Sequence, residues 1–252
     1  MSPLEAVVFD VDGTLVDSER DGHRVAFNLA FEEFGMPYRW DVEEYGRLLR
    51  TTGGQRRIDG YLAGQGVPAQ ERAQLAPALH KRKTALMTQI IDDGKVDVRP
   101  GVKRLLDELA AEGVRVGVAT TGSRGWVEGL LDRLLPGLAF EVVVCGDEVA
   151  ERKPHPEAFT TALERLKLTA DRVAAVEDSS EGLQSAVGAG LPTAVVVNGY
   201  TRDHDLERAG LVLDGFGQPD DPAQVIADRA GTGCRGVLDV ATLARLMDAS
   251  AG

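Results

Sequence analysis

FDVDGTLVDS, residues 9–18, follows the apolar run Ala6-Val7-Val8 and places two acidic side chains, Asp10 and Asp12, one residue apart where that run ends. A short run of Val and Phe without a charge reads as a strand buried on both faces. Two carboxylates this close repel each other. A buried strand that ends on them calls for a cation, a shared proton or a solvated turn to relieve the repulsion.

Similar runs recur at Val114 to Ala119, Val142 to Cys145, Val173 to Val176 and Ala194 to Val197, with helical spacing between them. The alternation predicts an α/β fold, a Rossmann-like parallel sheet with helices on both faces. LLDELAAEG (105–113), with its Gly stop, and PEAFTTALERL (156–166), with Pro in the first turn, read as crossover helices. Residues 19–92 break the pattern, because their apolar positions keep helical spacing only, as in HRVAFNLAFEEFG (23–35). That predicts a small all-helical cap inserted after the first strand. The expected domains are a catalytic core over 1–17 and 93–252 and a cap over 18–92, with Pro100-Gly101 punctuating the return. The last forty residues read as a Gly-, Pro- and Asp-rich loop followed by a helix at VATLARLMDA (240–249).

Composition narrows the function. A net charge of −12 argues against a surface that neutralises nucleic-acid phosphates or anionic lipid. The two cysteines, Cys145 and Cys234, form no CxxC pair, which suits a reducing cytoplasm. Acidic residues near the start and apolar runs of strand length only argue against export and against membrane spanning. A cytoplasmic monomer is the expectation.

In an open parallel sheet, ligands bind beyond the carboxyl ends of the strands. The first run delivers Asp10 and Asp12 there, the second Thr120-Thr121-Gly122-Ser123, and the fourth Glu177-Asp178-Ser179, while Lys153 follows the third run just before a helix start. Each segment alone has a plain reading as a turn, a helix cap or a surface loop. Together, at successive strand ends, they present a nucleophile, hydroxyls, a cation and an acidic pair.

In this order the segments resemble the motifs of the haloacid dehalogenase superfamily of phosphotransferases: DVDGTLVDS (10–18), VGVATTGS (116–123), ERKPHPEAF (151–159) and AVEDSSEGL (175–183). The resemblance spans essentially the whole chain, the helical insert included. It implies Asp10 as the nucleophile that forms an aspartyl-phosphate and Asp12 as the acid, then base. It also implies Thr120, with the amides of Thr121 and Gly122, as holders of the phosphoryl oxygens, and Lys153 as the cation facing Asp10. Magnesium is the implied cofactor, with the Asp10 side chain, the Asp12 carbonyl and Asp178 as ligands and Glu177 as a direct or indirect one.

The insert carries local basic content: Arg50, Arg56, Arg57, His80, Lys81 and Lys83. As a group they suggest a second anionic site. RLLRTTGGQRRI (47–58), LHKRKT (79–84) and YTRD (200–203) resemble the CbbY-type phosphatases of the superfamily, although Arg56 stands where that pattern leads one to expect an acid. This implies a small phosphorylated sugar as substrate, foremost xylulose 1,5-bisphosphate, an inhibitor of carbon-fixing Rubisco in the Calvin cycle. The implied cap contacts are Thr52, Gly53, Gly54, Arg57 and Lys83, with Glu19 and His23 near the reacting end. Within the same chemistry, a β-phosphoglucomutase-like isomerase and a phosphoglycolate phosphatase stay open. More distant rivals are a receiver-type signalling module and a silent sugar-phosphate binder.

Overall fold

A computed structural model describes residues 4–51 and 53–250. The chain divides into two compact units, Met1–Val16 with Val98–Gly252, and Asp17–Asp97.

The first unit is built on a sheet in the order β3-β2-β1-β4-β5-β6-β7. Its strands are β1 (Ala6–Phe9), β2 (Arg115–Ala119), β3 (Val142–Val144), β4 (Val173–Glu177), β5 (Thr193–Val196), β6 (Leu211–Leu213) and β7 (Val225–Asp228). All pair in parallel except β6 with β7. β1 is central and wholly buried, which explains why it alternates no polar residue. Its register sets Phe9 against Val118 on one side and Val176 on the other.

Helices cover both faces: α5 (Val102–Ala111), α6 (Arg124–Leu134), α7 (Glu157–Leu166), α8 (Ser180–Gly188) and α9 (Val240–Ser250). Ala6 and Val8 pack with Phe159, Ala162 and Leu166 of α7. Val7 and Phe9 take the opposite face by strand alternation. α5 and α9 lie against β2, β4 and β5 and touch each other. Leu105, Leu106 and Leu109 fall at helical spacing on the buried side of α5, as the LLDELAAEG pattern requires.

β7 corrects the reading of the last forty residues as loop and helix, and β6, just before them, is a strand that reading did not name. β6 is a buried Leu-Val-Leu run of three residues with one β-branched position, and β7 is a four-residue, half-exposed edge strand with a bulge against β6, too mixed for periodicity to declare it.

The second unit is helical: a π-helical turn over Glu19–His23, then α1 (Arg24–Glu33), α2 (Val42–Leu48), α3 (Gly54–Gly64) and α4 (Ala69–Asp92). α4 packs on both α1 and α3. Phe27, Phe31, Tyr38, Trp40, Tyr45 and Tyr61 form its aromatic centre, with ring centroids 4.8–6.2 Å apart. The unit runs to Asp97 rather than to 92, because Val96 is buried with it. A Cβ added to Gly22 would stand 3.0 Å from Val96 Cγ2. Among the described residues no helix is long and apolar enough to cross a membrane.

Candidate active site

The strand order reverses at β1 and β4, so a crevice forms beyond their carboxyl ends. Asp10 is the first residue past β1, and its N–H donates to Val176 O at 3.0 Å, which extends the ladder and sets Asp10 level with Glu177. The chain must then turn away from the sheet. Gly13 makes that turn at φ +89°, where an L side chain is strained. Space forbids one as well: a Cβ there would lie 2.6 Å from Asp178 Oδ2.

Lys153 reaches the same point from the loop before α7. Its Nζ donates to Asp10 Oδ1 at 2.7 Å, Glu177 Oε1 at 2.5 Å and Ala119 O at 2.8 Å, and it lies 5.0 Å from the centre of the Phe159 ring. The loop is anchored on both sides. The Glu157 carboxylate accepts the N–H groups of Ala150 and Glu151, each at 2.8 Å, and Ser185 Oγ donates to His155 O at 2.7 Å.

Asp10, Glu177 and Asp178 are buried and can each bring an oxygen within 4.8 Å of the others. Three carboxylates against one directly bonded ammonium leave a deficit of positive charge, and the proton affinities register it. Burial, with Glu177 and Asp12 adding repulsion, pushes the Asp10 carboxyl up to about 7 despite Lys153. Burial also raises Glu177 and lifts Asp178 well above the usual carboxylate range. Lys153 stays charged: burial opposes its charge, but Asp10 and Glu177 outweigh it. An all-oxygen donor set short of positive charge fits a hard divalent cation.

The Asp12 carboxylate is not one of the three; it is half-buried and acts on the cluster through its charge on Asp10. Glu177 has both oxygens engaged, one by Lys153 and the other by the Asp178 N–H at 3.2 Å. Thr120 is the first residue past β2, is buried, and its Oγ1 accepts the Gly122 N–H at 3.2 Å. The Gly122 amide offered above as a phosphoryl contact is therefore already bonded within its own turn. Thr121 and Gly122 are half-buried.

Around this cluster, motif reading gave no role to Gly182, Asn198 or Arg99. Gly182 sits on α8 where a Cβ would come within 1.9 Å of Glu177 Oε2, so any side chain there would have to push the carboxylate from its place beside Lys153. Asn198 donates to Asp178 Oδ2 at 2.7 Å. Arg99, buried, donates to Gly13 O at 2.7 Å and to Val196 O and Val197 O at 2.8 Å each. The only hint of Arg99 was its place beside Pro100-Gly101 at the predicted return.

Within the helical unit the structure separates the six basic residues. Arg57 and Lys83 are buried, His80 is half-buried, and Arg50, Arg56 and Lys81 are exposed. Lys83 Nζ donates to His23 Nδ1 at 2.8 Å and lies 4.8 Å from the centre of the Phe27 ring. Arg57 donates to Leu48 O at 3.1 Å and Tyr45 OH at 3.3 Å, and Tyr45 OH donates to Glu19 Oε2 at 2.5 Å. Glu19, His23, Arg57 and Lys83 thus belong to one polar seam that includes Tyr45, a residue no motif marked. Gly53 takes φ +92° before α3, and Gly54 packs against His80, where a Cβ would stand 2.9 Å from Nε2. Thr52 lies outside the described residues.

Residues 4–190 match the family model of the haloacid dehalogenase-like hydrolases. CbbY of Cereibacter sphaeroides is 41% identical over 85% of this chain and 94% of its own, and a CBBY-like protein of Arabidopsis thaliana is 38% identical over 85% and 70%. The crystal structure of an Asp-to-Asn variant of CbbY from Rhodobacter sphaeroides, in complex with xylulose 1,5-bisphosphate, superposes with a TM-score of 0.77 at 39% identity, over 84% of this chain and 94% of that one. The chain belongs to the haloacid dehalogenase-like hydrolases, among the phosphatases of that family and beside the CbbY proteins.

Proposed function

We propose that this protein is a magnesium-dependent phosphatase that removes one phosphate from a small sugar bisphosphate, xylulose 1,5-bisphosphate foremost, through an aspartyl-phosphate on Asp10. The observation that carries the reading is the buried cluster of Asp10, Glu177 and Asp178 with Lys153 at the point where strand order reverses. The CbbY complex with xylulose 1,5-bisphosphate supports the choice of substrate.

Lys153 fixes Oδ1 of Asp10, which leaves the other carboxylate oxygen to attack phosphorus. The ester P–O bond breaks as the Asp10–phosphorus bond forms, and Asp12 delivers its proton to the leaving oxygen. Asp12 then takes a proton from water as that water attacks phosphorus and frees Asp10. A carboxylate approaching a phosphate dianion meets about 4 kcal/mol of repulsion per unit-charge pair at 4 Å with an effective dielectric near 20. Lys153 offsets part of it. Magnesium, held by Asp10, Asp178 and the Asp12 carbonyl with Glu177 beside them, would supply the remaining positive charge. Thr120 and the Thr121 amide hold phosphoryl oxygens. Arg57 and Lys83 recognise the anion that does not react, with His23 and Glu19 orienting them.

The test is phosphate release, with and without magnesium, from xylulose 1,5-bisphosphate, ribulose 1,5-bisphosphate, phosphoglycolate, β-glucose 1-phosphate and fructose 1,6-bisphosphate. Magnesium-dependent release with strong preference for the first is the expected result. Preference for another substrate would overturn the substrate assignment and keep the chemistry. Isomerisation of β-glucose 1-phosphate without free phosphate would overturn the hydrolytic reading.

A further inference from the structure

The Asp178 carboxylate has two described side-chain donors, and Asn198 is much the nearer: Nδ2 stands 2.7 Å from Oδ2, against 3.4 Å between Thr14 Oγ1 and Oδ1. The Asn198 amide is fixed from its other end. The Tyr200 N–H donates to its Oδ1 at 2.9 Å, so the oxygen faces the turn and the NH2 group faces Asp178. Thr201, itself buried, accepts the Asn198 N–H on Oγ1 at 3.0 Å. The amide also faces Gly13 O at 3.4 Å, the carbonyl that Arg99 holds at 2.7 Å. The same guanidinium binds Val196 O and Val197 O, the two residues before Asn198. A Cβ on Gly13 would stand 2.9 Å from Asn198 Nδ2, so the turn after β1, the turn after β5 and Asp178 are packed with no slack.

We propose that Asn198 is a positioning residue that sets the orientation of the Asp178 carboxylate for a divalent cation, and that Arg99, through the carbonyls of Gly13, Val196 and Val197, holds the Gly13 turn and the segment leading into Asn198 at the separation this needs. The inference rests on the reading of Asp178 as a metal ligand. A carboxylate with one oxygen fixed by an amide presents the other in a single direction, so less ordering remains to be done when a cation binds. Hydrogen-bond partners of metal ligands typically change metal affinity by about 10–100-fold. Asparagine suits the position because its two ends differ: the oxygen satisfies Tyr200 and the NH2 satisfies a carboxylate, whereas aspartate would set oxygen against oxygen.

The experiment is titration of the full-length, chelator-stripped protein with Mn2+, with free ion read by electron paramagnetic resonance, alongside the Mg2+ concentration for half-maximal hydrolysis of p-nitrophenyl phosphate. Asn198→Ala is expected to weaken Mn2+ binding about tenfold or more and to raise the half-saturating Mg2+ by a similar factor. The KM for the ester at saturating Mg2+ should stay within about twofold, which a general loss of structure would not allow. Asn198→Ser, whose hydroxyl can still serve Tyr200 but is too short for Asp178, should behave alike if the alanine variant does not fold. Mn2+ affinity unchanged in either folded variant, with binding lost in Asp178→Asn, overturns the positioning role alone. Unchanged binding in Asp178→Asn overturns the metal assignment and this inference with it.

Discussion

Lys153 in the sheet unit and Lys83 in the helical unit are both buried, and they keep different company. Lys153 bonds two carboxylates and a strand-end carbonyl, on a short loop tied down by Glu157 and Ser185. Lys83 sits within the 24-residue α4 and meets a histidine ring nitrogen and the Phe27 face. The sheet unit therefore commits its lysine to its own acidic residues, Asp10 and Glu177, and so fixes the residue proposed as the nucleophile. The described contacts of Lys83 and Arg57 are a ring nitrogen, a hydroxyl, a carbonyl and aromatic faces, with Glu19 joined through Tyr45, the seam to which the proposed function gives the ligand-reading role.

The hardest break falls on the carboxylate side of Lys153. Asp10→Asn should lower turnover by about a thousandfold or more while the circular dichroism spectrum stays native, because the proposed nucleophilic carboxylate and its charge are lost while the side chain keeps its size and an oxygen for Lys153. A variant that keeps a tenth of the activity would end the assignment. Lys153→Met comes next, with turnover down by about 10²–10³ and stability down by about 3–5 kcal/mol in urea unfolding, since two buried carboxylates lose their cation. Near-native stability in that variant would mean the acidic cluster relaxes without its lysine. Gly182→Ala is a purely steric probe of the same cluster. The added methyl meets Glu177, and a cost of about 1–3 kcal/mol is expected by thermal or urea unfolding.

The helical unit should respond through substrate affinity instead. Lys83→Ala is expected to raise KM for a sugar bisphosphate about tenfold with turnover within about threefold, and to change monophosphate hydrolysis far less. Equal effects on both substrate classes would remove the second-anion role and bring the two lysines closer in kind. The gentlest probe uses protons. Asp10 has its carboxyl raised from 3.8 to about 7 in the metal-free fold, so the folded state binds the extra proton between those values. Its burial cost is therefore absent below about pH 4, grows through the interval and is complete above about pH 7. Magnesium should raise Tm by a few degrees at pH 8 and progressively less as pH falls through 7, where the proton displaces it. A magnesium effect that grew on acidification would contradict the sign.

Much of the sheet unit was legible because its chemistry sits at strand ends. Apolar runs of β-branched residues announce the first five strands, β1 to β5, and whatever follows each run is delivered to one edge of the sheet, so Asp10, Thr120, Lys153 and Glu177-Asp178 could be assembled from order alone. β7 escaped notice because its four residues on the sheet edge mix half-buried and exposed positions and end on a charge, and β6 because its Leu-Val-Leu run is short and carries a single β-branched residue. In the helical unit, charge in the sequence did not distinguish Arg56 from Arg57, or Lys81 from Lys83. One of each pair is exposed and the other buried, a difference set by which face of α3 turns toward Phe27 and Tyr45 and which face of α4 meets α1.

By itself the sequence determined the fold class, the helical insert and the residues gathered for chemistry, since periodicity and strand-end motifs are local properties of the chain. Only the tertiary structure decided that Gly182 must leave room for Glu177, that Asn198 turns its amide toward Asp178, and that Arg99 joins the Gly13 turn to the end of β5. Those contacts join residues up to 98 positions apart for Arg99 with Val197, and their partners are backbone atoms or single oxygens. Such pairings exist only once parallel strands have brought distant turns to the same edge, and no residue type advertises them beforehand.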